Sequence, residues 1–455
     1  MKASIAGHDL DRSALPLLII LGLGVFAGAL DLSVLSPALP ALALAFNVQT
    51  GDLAWIFTLY LLVTVASIAI ASTLADRYGR RPVYITCVLL FALGSLVAVT
   101  AQSFPMFLLA RAIQALGAGG IFPVATAAIG DAVPANRRGA ALGLVAATWG
   151  LAAVIGPTVG GLVTHFISWR WIFAANFPLA AIVIYYARTL VPATAPRLRG
   201  PLDVFGLVLL CLGLLLLMDG LTTAHLFVAI LGALVLVGFW FWERTSTNPI
   251  VPARLFTTPQ LAKTYLLEIA IGMLEGSLFF IPTVLVGAQG LSYAVAGLVA
   301  ALGALMFVAV IPLAGRALDR LGSRDVLLVG AIFTEIGLAI FALGFASLWL
   351  ALLAMVVAGC GFGALLGAPT RYIITNETTD RTRATAVGLL SQALIVGQIL
   401  GSSLAGGIMT ASRSEMGGYR AAYLAFCAVA LVALAIATTL KPRSAERTTP
   451  IEEAT

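Results

Sequence analysis

LADRYGRR, Leu74 to Arg81, and ALDRLGSR, Ala317 to Arg324, are nearly the same charged phrase written twice in a chain of 455 residues of which only 10% are charged. Each phrase sits between long apolar runs, and that placement decides the fold. At 61% hydrophobic, the chain departs from ordinary globular domains, which are about 45–50% apolar and about 25% charged. It belongs in a bilayer.

Crossing a hydrocarbon core of about 30 Å takes about 20 mostly apolar residues, and helices close their own backbone hydrogen bonds over that length. Fourteen segments qualify: 14–38, 53–73, 82–102, 106–129, 139–163, 168–188, 203–220, 225–242, 262–287, 293–315, 325–345, 347–369, 384–409 and 420–440. The expected fold class is all-α integral membrane. The run at 14–38 follows Lys2 and Arg12 as a signal peptide would. It is too long for one, carries Asp31 and leads into another apolar segment, so it reads as a retained first span.

Lys and Arg orient the spans. With both termini in the cytoplasm, 22 of the 26 basic residues fall in cytoplasmic loops, only Arg170, Arg413 and Arg420 fall outside, and Arg111 lies within a span. The basic residues form no aromatic-interleaved patch, so the net charge of +6 does not point to nucleic acid. Cys87, Cys211, Cys360 and Cys427 lie in apolar segments without metal or redox spacing, and His8, His165 and His225 stand alone. No metal site is expected.

The two opening phrases belong to a longer repeat. Asp76, Arg77 and Gly79 correspond to Asp319, Arg320 and Gly322 at +243, Leu108–Arg111 to Leu352–Met355 at +244, Arg138 to Arg383 at +245, and Gly160–Gly161 to Gly406–Gly407 at +246. Six spans per half give both halves one orientation, related by an axis along the membrane normal, which is one of the known transporter plans. The expected organisation is a six-helix bundle at 1–190, a linker and two-helix insert at 191–250, a second bundle at 251–441 and a cytoplasmic tail at 442–455. The insert has no counterpart and is expected at the periphery.

Several motifs stand in order along the chain: LDLSVLSPALP from Leu30, STLADRYGRRP from Ser72, RAIQALGAG from Arg111, GPTVGG from Gly156 and WRWIFAANFP from Trp169. In this the chain resembles the major facilitator superfamily, specifically its fourteen-helix drug:proton antiporter branch, over nearly its whole length. Ser36-Pro37 departs from the family's usual Asn and small apolar residue. The resemblance implies that the loop motif, Asp76, Arg77, Gly79 and Arg80 with Asp319, Arg320 and Gly322, is a cytoplasmic latch between bundles that holds the outward-facing state. It also implies that GPTVGG, with Gly156, Pro157, Gly160 and Gly161, accompanies export.

Physical chemistry supports the same positions. In a connection of about eight residues, Gly79 and Gly322 can take positive φ at little cost. Turn chemistry and positive-inside signalling are the plain alternative for this loop. The first copy keeps Arg80-Arg81 where the second has Ser323-Arg324, so the first is expected to be the stronger latch. Pro157 kinks its helix, and the second half reads GSSLAGG from Gly401 without a proline.

Arg111 lies roughly 12 Å deep at 1.5 Å per residue, where an Arg faces a cavity or a partner. Gln114 shares its face, and the pair serves either proton coupling and cavity organisation or a structural hydrogen-bond hub. Asp31, Glu268, Glu275 and Glu335 are the embedded acids, and such groups can exchange a proton for a polar or cationic substrate. Asp203, Asp219 and Glu243, at span ends, are explained by capping and solvent access.

No GxxxxGK[ST] sequence appears, so the expected drive is an ion gradient, with protons and a small-molecule substrate as partners and no cofactor. One charge crossing about 100 mV releases about 2.3 kcal/mol, while a roughly 100-fold gradient costs about 2.7 kcal/mol, so one or two protons suffice. The expected function is proton-coupled export of small lipophilic or cationic compounds, by a monomer in the bacterial cytoplasmic membrane. A dedicated metabolite exporter and an uptake symporter are the rivals on the same fold. An enzyme lacks its constellation of nucleophile, base or metal ligands, and a channel has no use for two latch copies.

Overall fold

The computed structural model describes residues 15–134, 137–193, 203–256 and 258–446. Fourteen helices among them are long and apolar enough to cross a membrane. In chain order, spans 1 to 6 are Leu15–Phe46, Thr50–Tyr78, Arg80–Thr100, Phe104–Ala132, Ala141–Phe166 and Arg170–Leu190. Spans 7 and 8 are Val204–Thr222 and Leu226–Glu243. Spans 9 to 14 are Pro259–Gln289, Tyr293–Leu321, Ser323–Gly344, Leu348–Asn376, Thr385–Ala411 and Glu415–Thr438. No strand occurs among the described residues. Most of the expected linker, including Arg197 and Arg199, lies outside the described residues, as do His8 and the tail beyond 446.

Count and order match the sequence expectation, but two boundaries are corrected. Span 1 does not end at 38: it breaks into a 3-10 turn at Ser36–Ala38 and resumes at Leu39–Phe46. Pro37 and Pro40 explain the break, because each removes a helix hydrogen-bond donor. Span 9 has the matching interruption, ending its first helix at Leu278 and starting the next at Ile281 with Pro282 in its first turn. The connection between spans 2 and 3 is not about eight residues but one, Gly79, at φ 93°. Gly322 alone joins spans 10 and 11 at φ 89°. Asp76, in the last turn of span 2, and Arg80, the first residue of span 3, pair across Gly79, so the charged phrase closes a one-residue turn rather than forming a loop.

Packing repeats between halves. Spans 1 and 5, 3 and 4, 2 and 4, 3 and 6, and 1 and 6 pack together, as do 9 and 13, 11 and 12, 10 and 12, 11 and 14, and 9 and 14. The halves meet through span 5 on span 10 and span 2 on span 13. Span 7 leans on both span 2 and span 13, so the insert flanks one side of the seam. Span 8 packs on span 7 and exposes Phe227, Leu234 and Phe241 outward.

The seam is closed at the face where spans 1 and 9 break. Away from the termini, Ser36 Oγ donates to the Phe279 carbonyl at 2.6 Å, the Phe57 and Phe279 rings stack 4.2 Å apart, and a Cβ on Gly406 would lie 2.8 Å from the Gly51 carbonyl oxygen. Midway along, a Cβ on Gly150 would meet Val308 at 3.5 Å. Gly143 and Gly315 lie two turns nearer the terminal face on the same stripes of spans 5 and 10, and a Cβ on either would meet nothing within 4 Å. Spans 5 and 10 therefore leave open space around Gly143 and Gly315, toward the face where the described chain begins and ends.

Candidate functional site

Three of the six embedded polar residues singled out from sequence converge. Arg111 donates through Nη1 to Asp31 Oδ2, forming an ion pair in which both side chains have no exposure. The same nitrogen donates to Gln114 Oε1 at 2.8 Å. Gln114 Nε2 donates to Asp31 Oδ1 at 3.2 Å and to Ser95 Oγ at 2.8 Å. The guanidinium lies 4.1 Å from the centre of the Tyr60 ring, which faces it as a cation–π partner. Among the described residues Arg111 Nε and Nη2 have no hydrogen-bond partner, so the aromatic face compensates part of this buried charge.

Span 1 supplies the acid, span 4 the Arg and Gln, span 3 Ser95 and span 2 the ring. Gly117 and Gly94 let spans 3 and 4 approach this closely: a Cβ on Gly94 would lie 2.5 Å from Gln114 Cγ and 2.7 Å from the Ala110 carbonyl oxygen. Tyr60 belongs to an apolar cluster that also holds Ile399 of span 13, so the ring stands between the ion pair and the opposite half.

Glu268 and Glu275 lie on span 9, in the other half. Gln398 Nε2 of span 13 donates to Glu275 Oε2 at 2.9 Å, and Glu275 is half-buried. Glu268 is buried, with Thr370 and Arg371 beside its carboxylate, and its Oε2 has no partner among the described residues. Glu335 does not join them. It stands on span 11 against span 14, near Cys427, beside the outward-facing Ile332, Phe333 and Ile336. Its Oε2 is buried without a partner among the described residues, and the sequence carried no information about which face of span 11 turns toward which neighbour.

GPTVGG holds two seams at once. A Cβ on Gly156 would strike Ser33 and one on Gly160 the Val34 carbonyl, both on span 1 of the same half. A Cβ on Gly161 would lie 2.5 Å from the Tyr293 carbonyl oxygen, and the Pro157 carbonyl lies against Gly297, both on span 10 of the other half. The motif thus packs at the closed face of the molecule.

In the first loop motif, Arg80 Nη1 pairs with Asp76 Oδ1 at 2.6 Å and Arg80 Nε with Asp131 Oδ2 at 3.3 Å. Arg81 Nε donates to the Val191 carbonyl at 2.6 Å, while Arg77 is exposed. These contacts stay within the first half. The second copy is held by the short helix Arg443–Glu446: Arg443 donates to the Asp319 and Arg320 carbonyls, and Glu446 accepts from the Ser323 amide and hydroxyl.

Sequence reasoning missed Ser95, Tyr60, Gln398, Asp131 and Asn176, which are single polar or aromatic residues within apolar runs or familiar motifs. At the other span ends, Asp203 does cap span 7, accepting from the Gly206 amide at 2.7 Å. Glu243 is buried, accepting from the Val251 amide at 2.8 Å, where solvent access was expected.

A profile described as Major Facilitator Superfamily matches residues 21–242 and 264–455. The chain belongs to the major facilitator superfamily. An uncharacterized MFS-type transporter of Bacillus subtilis, YfiU, is 33% identical over 420 residues, covering 87% of this chain and 80% of the relative. The efflux pump dotC of Dothistroma septosporum is 34% identical over 257 residues, covering 52% of this chain and 44% of the relative. This chain thus matches less than half of the length of some curated relatives. A D-xylose-proton symporter structure matches with a TM-score of 0.71 at 16% identity, covering 96% of this chain and 100% of that one. That likeness is one of fold. As a member of the superfamily, the chain is a multi-pass membrane transporter and not an enzyme.

Proposed function

We propose that this transporter exports small lipophilic or cationic compounds in exchange for protons, by rocking its two six-helix bundles about a central cavity. One observation carries the reading: Asp31 and Arg111 form a fully buried ion pair at the core of one half, with Tyr60 between them and the other half. A buried pair is strongly disturbed when one partner is neutralised, because the other charge is left uncompensated. A proton arriving on Asp31 frees Arg111, and the freed guanidinium repels a bound cation and re-packs against Tyr60. Glu275 and Glu268 supply the acidic side of the cavity from the other half.

The open space at Gly143 and Gly315 supports the inward-open half of the cycle, and the Lys and Arg distribution supports placing both termini in the cytoplasm. The bacterial relative supports placing the transporter in a bacterial cytoplasmic membrane. In the opposite conformation the first loop motif acts as the latch, Asp76 and Arg80 holding the terminal face shut. The site lies within one chain, so a monomer suffices, and the proton gradient is the only energy source required.

The test is ethidium transport in proteoliposomes under an imposed pH gradient. Wild type should move the dye against its gradient until a protonophore is added, and Asp31→Asn should lose this drive while inserting normally. Protonophore-insensitive transport, or unimpaired Asp31→Asn, would overturn the reading.

A further inference from the structure

WRWIFAANFP is the one motif that the transport reading leaves without a task, and its Asn176 reaches the ion pair. We infer that Asn176 is a positioning residue for the Asp31 carboxylate, fixing one of its oxygens so that only the other changes partner during coupling. The inference rests on the reading of Asp31 as the coupling acid.

The geometry is specific. Asn176 is buried, and its Nδ2 donates to Ser95 Oγ at 3.0 Å and toward Asp31 Oδ1 at 3.4 Å. Gln114 Nε2 donates to the same two acceptors from span 4. A side-chain amide nitrogen carries two hydrogens, so each amide can serve both acceptors at once. Ser95 spends its own hydrogen on the Phe91 carbonyl at 2.9 Å, which leaves its oxygen free to accept from both. Asp31 Oδ1 is therefore held by two neutral donors, and Oδ2 is left to Arg111.

The rest of the motif keeps Asn176 in register. Trp169 is buried with its ring 5.6 Å from Phe46 and 5.7 Å from Phe107. Arg170 lies over the Trp169 ring at 4.3 Å and donates to the Val99 and Ala101 carbonyls, each at 3.1 Å, tying the start of span 6 to the end of span 3. The helix breaks after Ala174 and restarts at Asn176. The anchor thus lies one to two turns before the amide it positions.

The groups facing Asp31 from the packed elements are few. Arg111 of span 4 is the charged one and the Tyr60 phenol of span 2 the titratable one. Spans 3, 4 and 6 add the neutral Ser95, Gln114 and Asn176, and span 5 brings Gly156 and Gly160 to the same stretch of span 1.

The experiment is an infrared titration of purified protein in nanodiscs, following the carboxyl C=O band that Asp31→Asn removes. Asn176→Leu, which keeps the branched shape without the donor, should raise the midpoint of that band by about one pH unit, the size expected from losing a hydrogen bond to a charged group. Asn176→Ser, which retains a shorter donor, should recover part of the shift. An unmoved midpoint in folded Asn176→Leu, or equal shifts for Leu and Ser, would overturn the inference. Ethidium transport by Asp31→Asn separately tests the parent reading: unimpaired coupling there would remove Asp31 from the mechanism even if the band shifts as expected.

Discussion

Ser36 Oγ donates to the carbonyl of Phe279 at 2.6 Å, and the two residues are 243 positions apart. That is the offset relating Asp76 to Asp319, so Ser36 and Phe279 are each other's counterparts in the duplication. Equivalent points of two repeats can touch only on the axis that relates them. The bond therefore marks the centre of the closed face, where the proline breaks of spans 1 and 9 meet. Ser36→Ala should remove about 0.5–1.5 kcal/mol from this closure, shifting the population roughly 2- to 12-fold toward the conformation open at that face. Spin-label distances across Gly51 and Thr410 would measure it, and unchanged distributions would show that the bond does not hold the gate.

Gly160 and Gly143 lie on the same helix but in opposite circumstances. A methyl on Gly160 would land on the Val34 carbonyl, whereas one on Gly143 meets open space. Gly160→Ala should destabilise by about 1–3 kcal/mol through overpacking. Gly143→Ala should be neutral or stabilise by up to about 1 kcal/mol through helix propensity. Unfolding in detergent, followed by tryptophan fluorescence, would distinguish the two. Equal effects would mean that the span 1 seam repacks freely.

Much of this was legible from the chain alone. Hydropathy supplied the fourteen spans and their order, and the offset of the loop motifs gave the duplication. Asp31, Arg111 and Gln114 stood out because charge and amide groups are costly in an apolar run. That they meet was not legible, since span periodicity gives a face but not the neighbour it turns toward. The same gap hid that Glu335 stands against span 14 near Cys427 rather than beside the other two glutamates. Asn176 was hidden by its neutrality and by its place inside a motif that carried only the family resemblance. The loop length failed for a different reason: Asp76 at the end of span 2 pairs with Arg80 at the start of span 3 across Gly79, so polarity there did not mean loop.

Glu275 meets Gln398 across the span 9 to span 13 seam at 2.9 Å. Glu275→Gln keeps the shape and a hydrogen bond to that partner but cannot carry a proton. ΔpH-driven ethidium transport should fall at least 10-fold, with counterflow of the dye preserved, which is about 1.4 kcal/mol or more of lost drive. Full ΔpH-driven transport would take Glu275 off the coupling route.

The second loop depends on the short helix that follows span 14. Glu446 accepts from the amide of Ser323, the first residue of span 11, and so acts as a cap supplied from elsewhere in the chain. Losing a cap costs about 0.5–2 kcal/mol. Glu446→Ala should raise hydrogen exchange of the amides at 323–326 by roughly 2- to 30-fold and leave those of Arg80, Arg81 and Val83 unchanged, because the first loop is tied instead through Arg81 to Val191. Equal acceleration of both loops would mean that the whole face loosens, and the local cap would be refuted.

Arg111 and Asp31 make the sharpest energetic prediction because neither side chain touches solvent. Arg111→Leu leaves Asp31 with the neutral amides of Gln114 and Asn176, and breaking a buried pair in this way costs about 3–5 kcal/mol. Removing both charges is different, since apolar replacement of a whole buried pair is often neutral or stabilising by about 1–4 kcal/mol. The double variant Arg111→Leu with Asp31→Leu should therefore be more stable than Arg111→Leu alone, although it cannot couple. Unfolding midpoints in detergent give the comparison directly. If the double variant were the less stable of the two, the unpaired Asp31 would carry no penalty once Arg111 is gone, and the pair could not serve as a charge switch.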